Sequence, residues 1–319
     1  MKLLITGING FVANHFLDYL STQNDEFTIL GLGKSTDPFD IKKYPKLNLT
    51  YLSIDLLHKT EVGKIIKSFR PDYLLHLASI SSVGHSWNHP QESFVNNTNI
   101  FLNLVEQIRI ENINCKILSI GSSEEYGIVS KEDLPIKEDC RLNPVSPYAV
   151  ARVSQEMISQ IYQKGYGMNI VMTRSFNHIG PGQKDIFVIS SFAKQLVKIH
   201  AKTTADNTVV VGDISVIRDF LDVRDVVKAY YKLLKEGKSG EIYNISSGIG
   251  ISLNEILDKM CEILGITIII KRSEKLIRPN DNPILIGNAN KLKNELGWHP
   301  SYTINESLID ILNFWKISE

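Results

Sequence analysis

A tyrosine and an arginine four residues apart stand out in Ser146-Pro147-Tyr148-Ala149-Val150-Ala151-Arg152. Ser146 is suited to cap a helix and Pro147 to begin one, which puts Tyr148 in the first turn. Residues four apart share a helix face, so the phenol and the guanidinium face the same way. A phenol beside a fixed cation can donate or accept a proton near neutral pH. Upstream lies Gly121-Ser122-Ser123-Glu124-Glu125-Tyr126-Gly127, at the end of an apolar run. This places the hydroxyls of Ser122 and Ser123 and the carboxylate of Glu124 at the carboxyl edge of a strand, where open α/β sheets bind ligands. Glu125, its neighbour on the expected strand, points away from Glu124 and reads as structural.

A second constellation is Gly7-Ile8-Asn9-Gly10-Phe11-Val12-Ala13, directly after the first apolar strand. Glycines at a strand-to-helix turn allow close approach of a pyrophosphate, and the helix N-terminus behind them offers free N–H groups. Gly7, Asn9, Gly10, Phe11 and Val12 are therefore the expected dinucleotide cradle. The next strand ends in Leu30-Gly31-Leu32-Gly33-Lys34-Ser35. It lacks the carboxylate that usually holds the ribose hydroxyls of NAD. Lys34 is free to pair with a 2′-phosphate, so the expected cofactor is NADP(H).

The elements that must position these groups form an alternating pattern, which predicts a doubly wound parallel α/β sheet of the Rossmann kind. Strands are expected at Lys2–Thr6, Phe27–Leu32, Leu49–Ile54, Tyr73–Leu77, Lys116–Ile120 and Asn169–Arg174. Helices are expected at Phe11–Leu20, Glu61–Phe69, Asn97–Ile110 and Pro147–Tyr162. After Gly180-Pro181-Gly182 the alternation fades. Helices at Val188–His200, Val223–Lys235, Leu253–Leu264 and Asn305–Trp315 are separated by short strands such as Thr208–Val211 and Ile242–Asn244, and the run Ile266–Ile270 reads as a buried strand. The expected division is a dinucleotide-binding domain of residues 1–177 with 219–248, and a smaller C-terminal α/β lobe of 178–218 with 249–319 that binds the substrate.

With 319 residues, 43% of them hydrophobic, the chain can bury a sizeable core. Its 35 basic and 35 acidic residues balance, which offers no electrostatic argument for a nucleic acid or an anionic membrane. Cys115, Cys140 and Cys261 have neither disulfide-framework nor metal-ligand spacing. The opening Met1–Gly7 is too short an apolar run for a signal peptide, and no run is long enough to span a bilayer. A cytoplasmic location is the expectation. Plainer readings attach to several residues. His76 reads as a structural hydrogen-bonding group, His85 and Ser86 equally as substrate loop or surface loop, and Trp87, Trp298 and Trp315 as packing. Ser81 and Ser82 follow the fourth strand at the carboxyl edge and are expected to meet substrate.

Over nearly its whole length the chain resembles the extended short-chain dehydrogenase/reductases that modify nucleotide sugars. The segments that carry the resemblance are TGINGF at Thr6, HLAS at His76, GSSEEYG at Gly121, SPYAVAR at Ser146, TRSFNHIGPGQ at Thr173, VIRDFLDVRD at Val216, YNISSG at Tyr243 and RPNDNPILIG at Arg278. The resemblance implies that Tyr148 is the catalytic tyrosine and that Ser122 polarises a sugar carbonyl. It implies that Ser123 and Glu124 are the pair dehydratases use for elimination, and that Asn177 and His178 lie beside nicotinamide and sugar. Arg218 and Arg278 would clamp the diphosphate, a task suited to bidentate groups. Asp55-Leu56 and Leu77-Ala78 would line adenine and ribose, and Lys194 is a further candidate for the substrate. A homodimer pairing helices Asn97–Ile110 and Pro147–Tyr162 into a four-helix bundle is also implied, helped by Val153, Met157 and Ile161 at helical spacing.

The family carries lysine four residues after the tyrosine, where it bonds the nicotinamide ribose and tunes the phenol. Arg152 keeps the charge but is longer and planar, which leaves open a working catalyst, a slow one or a repurposed site. The leading expectation is NADPH-dependent reduction of the 4-keto group of a nucleotide-linked, GDP-type 4-keto-6-deoxy sugar. The alternatives are a 4,6-dehydratase using Glu124, a 4-epimerase, and a catalytically silent dinucleotide-binding protein.

Overall fold

Alternating apolar strands and amphipathic helices fold as their periodicity requires. The computed structural model describes residues 1–35, 39–204 and 206–318. Strands β1 (Lys2–Thr6), β2 (Thr28–Gly33), β3 (Asn48–Ser53), β4 (Tyr73–His76), β5 (Lys116–Ser122) and β6 (Ile170–Ser175) alternate with helices that include α1 (Phe11–Leu20), α2 (Lys59–Phe69), α3 (Val83–Asn88), α4 (Pro90–Phe94), α5 (Ile100–Ile110) and α6 (Pro147–Tyr166). The remaining elements are β7 (Asn177–Ile179), α7 (Val188–His200), β8 (Thr208–Val211), β9 (Ile217–Asp222), α8 (Val223–Glu236), β10 (Ile242–Ile245), β11 (Gly250–Ser252), α9 (Leu253–Leu264), β12 (Ile269–Arg272), β13 (Ile284–Leu285), α10 (Asn290–Leu296) and α11 (Ile304–Ser318).

The main sheet has seven strands in the order β10-β6-β5-β4-β1-β2-β3, all parallel. It is a Rossmann sheet, buried on both faces. One face packs under α1 and α8, through Phe16, Leu17, Val226, Tyr230 and Leu233. The other packs under α2 and α5, through Val62, Ile66, Phe101 and Leu104. The strand order reverses between β1 and β4, which opens the crevice at their carboxyl ends that binds ligands in such sheets. A four-stranded sheet pairs β9 with β7, β11 and β13. A separate apolar core joins α7, α9 and α11. Ala289, Leu292 and Trp298, from the last third of the chain, return to the first core.

Two local expectations change. The isoleucine run lies only partly in a strand: β12 is Ile269–Arg272, it pairs with β8 alone, and all four residues are exposed. A two-stranded sheet with no layer over its outer face cannot bury them. The helix expected from Asn97 becomes α5 only at Ile100, because residues 95–99 form a wider π turn. Among the described residues no helix is long and apolar enough to cross a membrane.

Helix α6 is inverted relative to an ordinary surface helix. The face turned to the sheet carries Tyr148, Arg152, Gln155, Glu156 and Ser159, whereas Val150, Met157 and Ile161 are exposed. A polar inward stripe must find its hydrogen bonds inside the protein.

Candidate active site

Ser146 caps α6, its hydroxyl oxygen accepting from the Ala149 N–H at 3.1 Å, with Pro147 in the first turn. The Tyr148 N–H donates to the Ser86 hydroxyl at 3.2 Å, and that hydroxyl donates to the Val83 carbonyl. Ser86 is therefore buried and braces the catalytic turn; it is not a surface-loop residue. Arg152 donates from Nε to the Tyr148 hydroxyl at 3.2 Å, and from Nη1 to the Ile120 carbonyl at 3.1 Å and to Gln155 Oε1 at 2.7 Å. Both side chains are buried. The arginine thus faces the phenol, as its spacing requires.

Ser122 ends β5, and its hydroxyl oxygen accepts from the Glu124 N–H at 3.2 Å. An oxygen that is already an acceptor keeps its own proton to donate, which is what polarising a carbonyl needs. Residues 123–126 form a 3₁₀ turn, so Glu125 is not on a strand. It is fully buried, and its Oε1 accepts from the Ser122 N–H at 2.6 Å. Burial, reinforced by the nearby Glu156 carboxylate, pushes the Glu125 carboxyl well above its usual range. Glu156 is itself paired with Arg174 at 2.8 Å. Ser123 is buried. Burial also pushes Glu124 upward, opposed by the charges of Arg278 and Arg218.

Those arginines come from later in the chain, beyond β7. Arg278 Nη1 lies 3.8 Å from Glu124 Oε1. Arg218, on β9, donates to Asp281 Oδ1 at 2.7 Å, and Arg278 approaches the same oxygen at 3.5 Å. Two guanidiniums converge beside the Ser122–Glu124 segment, a geometry suited to a diphosphate. Asp281, which gathers them, was not anticipated.

The cradle shows why its glycines are needed. Gly7 has φ +70°, and a Cβ there would come within 2.7 Å of the Ala78 backbone nitrogen. Leu77-Ala78 is thereby held against the turn, with the Ala78 N–H donating to Thr6 Oγ1 at 3.2 Å. Gly10 begins α1 with no capping side chain. The first turn, Phe11 and Val12, therefore keeps its amides for an anion. The Asn9 carboxamide fills the space a side chain at Gly33 would need. Beyond it, Lys34 Nζ sits 2.8 Å from Asp55 Oδ2, and Leu56 is buried behind with its carbonyl accepting from Asn103. These residues fit a dinucleotide with its pyrophosphate at α1 and its adenosine toward Lys34 and Asp55.

Two histidines flank the site. Thr6 Oγ1, already accepting from Ala78, pairs with His76 Nδ1 at 2.9 Å. Burial, with a smaller push from Arg152, brings His76 down to about 3, so it is a neutral structural group. His178, on β7, has its Nε2 3.3 Å from the Tyr230 hydroxyl, and burial lowers it to about 4. Tyr230 also bonds Ser175, and the Arg152 charge reaches it. Asn177 opens β7, half-buried. Ser82 caps α3, its hydroxyl oxygen accepting from the His85 N–H at 3.2 Å, while Ser81 is exposed. Lys194, on α7, is directed to Asp185 at 2.8 Å and lies over the Trp315 ring.

Ser86 and Asp281 had little to mark their roles in the sequence. Gln155 lies on the Tyr148–Arg152 face of α6, which was legible from its spacing. Ser86 is 62 residues from its partner and left no local signal.

The chain is similar to the GDP-6-deoxy-D-mannose reductase of Pseudomonas aeruginosa, 32% identical over 99% of this chain and 97% of the relative. It is 28% identical to the GDP-6-deoxy-D-talose 4-dehydrogenase of Aggregatibacter actinomycetemcomitans, over 97% of this chain and 96% of that one. A Pseudomonas aeruginosa structure, described as RMD complexed with NADPH, superimposes with a TM-score of 0.87 at 31% identity, covering 100% of this chain and 99% of the other. The model of the family described as GDP-mannose 4,6 dehydratase matches residues 4–311, and the chain belongs to that family.

Proposed function

We propose that the protein reduces the 4-keto group of a GDP-linked 4-keto-6-deoxy sugar, with NADPH as cofactor. The observation that carries this reading is the Tyr148 hydroxyl held against the Arg152 guanidinium at 3.2 Å, on the helix that packs against the strand ending in Ser122. When bound, the nicotinamide supplies a hydride. The chain's part is to donate: Ser122 hydrogen-bonds the ketone oxygen, Tyr148 gives it the proton, and Arg152 holds the phenol oxygen in place. Gly7, Asn9, Gly10, Phe11, Val12, Leu77 and Ala78 would hold the cofactor, and Arg152 its nicotinamide ribose. Lys34 would meet its 2′-phosphate, and Arg218 and Arg278 the sugar-nucleotide diphosphate. Residues 1–177 with 219–248 would carry the cofactor and the remainder the sugar nucleotide.

Glu124 supports a second reading. A buried carboxyl raised in pKa can hand a proton to a departing hydroxyl, as a 4,6-dehydratase requires. Incubating the purified protein with GDP-mannose and with its 4-keto-6-deoxy derivative, each with and without NADPH, separates the two. The expected result is NADPH oxidation at 340 nm with the keto sugar alone. Conversion of GDP-mannose without added NADPH overturns it in favour of the dehydratase.

The reading extends to a cytoplasmic homodimer through α5 and α6. Val150, Met157 and Ile161 are exposed apolar residues along one side of α6. Beside them lies a groove of about 520 Å³ lined by Phe94, Val95, Pro147 and Val150 among others.

A further inference from the structure

An arginine's guanidinium is a plane with donors on three nitrogens, and which nitrogen meets an acceptor depends on how that plane is turned. Here it is Nε that meets Tyr148, so the terminal nitrogens must be anchored elsewhere. Nη1 supplies the anchor, at 3.1 Å from the Ile120 carbonyl and 2.7 Å from Gln155 Oε1. The Gln155 amide is fixed in turn. Its Nε2 donates to Ser119 Oγ at 2.9 Å and to the same Ile120 carbonyl at 3.1 Å. Arginine can only donate and a carbonyl can only accept, so the amide has a single orientation that satisfies all three partners. Ser119 and Ser159 hydroxyls, 3.0 Å apart, back this arrangement, and Ser159 also donates to the Gln155 carbonyl. Gln155, Ser119 and Ser159 are at most 2% exposed, so no water stands ready to replace a lost partner.

We propose that Gln155 is a positioning residue for Arg152: its carboxamide, braced by Ser119 on β5, sets the plane of the guanidinium so that Nε faces the Tyr148 hydroxyl. Gln155 acts through Arg152 alone. The inference rests on the reading of Tyr148 as the proton donor. An ammonium has no plane to set, because its three donors rotate about one axis. A lysine at position 152 would therefore be indifferent to the amide, and Arg152 and Gln155 form a matched pair.

The test is a double-mutant cycle on the full-length protein with Gln155→Met and Arg152→Lys, singly and together. Thermal melting reports folding, NADPH fluorescence titration reports affinity, and turnover of the 4-keto sugar reports the proton donor. Gln155→Met is expected to weaken NADPH binding about tenfold, the scale of one disturbed charged hydrogen bond. Turnover of the 4-keto sugar should fall with it. In the Arg152→Lys background the same substitution should change affinity by less than about twofold. An equal loss in both backgrounds would mean that Gln155 merely supports the fold, and no loss in either would also overturn the proposal. If Gln155→Met no longer melts cooperatively, Ser119→Ala carries the same test, because it loosens the amide without removing it. A weaker effect is then expected, present with Arg152 and absent with Arg152→Lys. Failure of the reductase reading is separate: it appears as no NADPH oxidation in the unmodified protein, while the binding cycle still reports on Gln155.

Discussion

Arg152 Nε stands 3.2 Å from the Tyr148 hydroxyl, with the guanidinium carbon 5.2 Å from the centre of the phenol ring. The pair is buried and one helical turn apart, and the cation is held in place by the Ile120 carbonyl and Gln155. Its removal is the most direct test of the site. Arg152→Ala should weaken NADP(H) binding about ten- to a hundred-fold, the value of a lost charged hydrogen bond. Turnover of the keto sugar should fall with it, because the guanidinium that fixes the phenol is gone. Unchanged affinity and unchanged turnover would show that Arg152 serves neither cofactor nor phenol.

Tyr148→Phe should abolish turnover while leaving NADPH affinity within about fivefold, since one neutral hydrogen bond is worth about 1 kcal/mol or less to binding. The ring packing and the Ser86 brace on the backbone survive the substitution. Steady-state rates and a fluorescence titration suffice. A phenylalanine variant with near-normal rate would move the proton source to another group.

Cofactor choice should follow Lys34. Its ammonium is 69% exposed but held at 2.8 Å from Asp55. In that position it neutralises the carboxylate nearest to where an adenosine 2′-phosphate would lie. NADPH should bind more tightly than NADH. Lys34→Ala should lower NADPH affinity about five- to tenfold and leave NADH nearly unaffected, because an exposed charge contributes on the order of 1 kcal/mol. Paired titrations of both cofactors decide it. Tighter NADH binding that ignores the substitution refutes the assignment.

Association should depend on the outer face of α6. Met157 and Ile161 are 43% and 62% exposed, on a helix whose inner face is polar. Light scattering at micromolar concentration should give a dimer mass. Met157→Glu with Ile161→Glu should give a monomer, because buried unpaired carboxylates oppose the interface. A monomeric mass for the unmodified protein would end the four-helix-bundle reading.

What was legible in the sequence was what neighbours along the chain determine. The β/α alternation, the Gly7 turn, the Ser146 cap, and the shared face of Tyr148 and Arg152 all depend on residues within one turn or one strand of each other. Backbone periodicity and capping chemistry act at that range. The exposure of β12 lies beyond that range for the same reason: an isoleucine run states its apolarity but not whether a second layer will cover it.

The partners that make the site work belong to the tertiary structure. Ser86 reaches the Tyr148 amide because α3 packs against α6. Arg152 and Gln155 share the Ile120 carbonyl because α6 crosses β5. Asp281 gathers Arg218 and Arg278 because β13 pairs with β9. Each contact joins residues whose separation along the chain carries no trace of their meeting. Only the register of the sheets and the packing of helices and later segments against them bring donor and acceptor within 3.5 Å, and only there does burial make each partner obligatory.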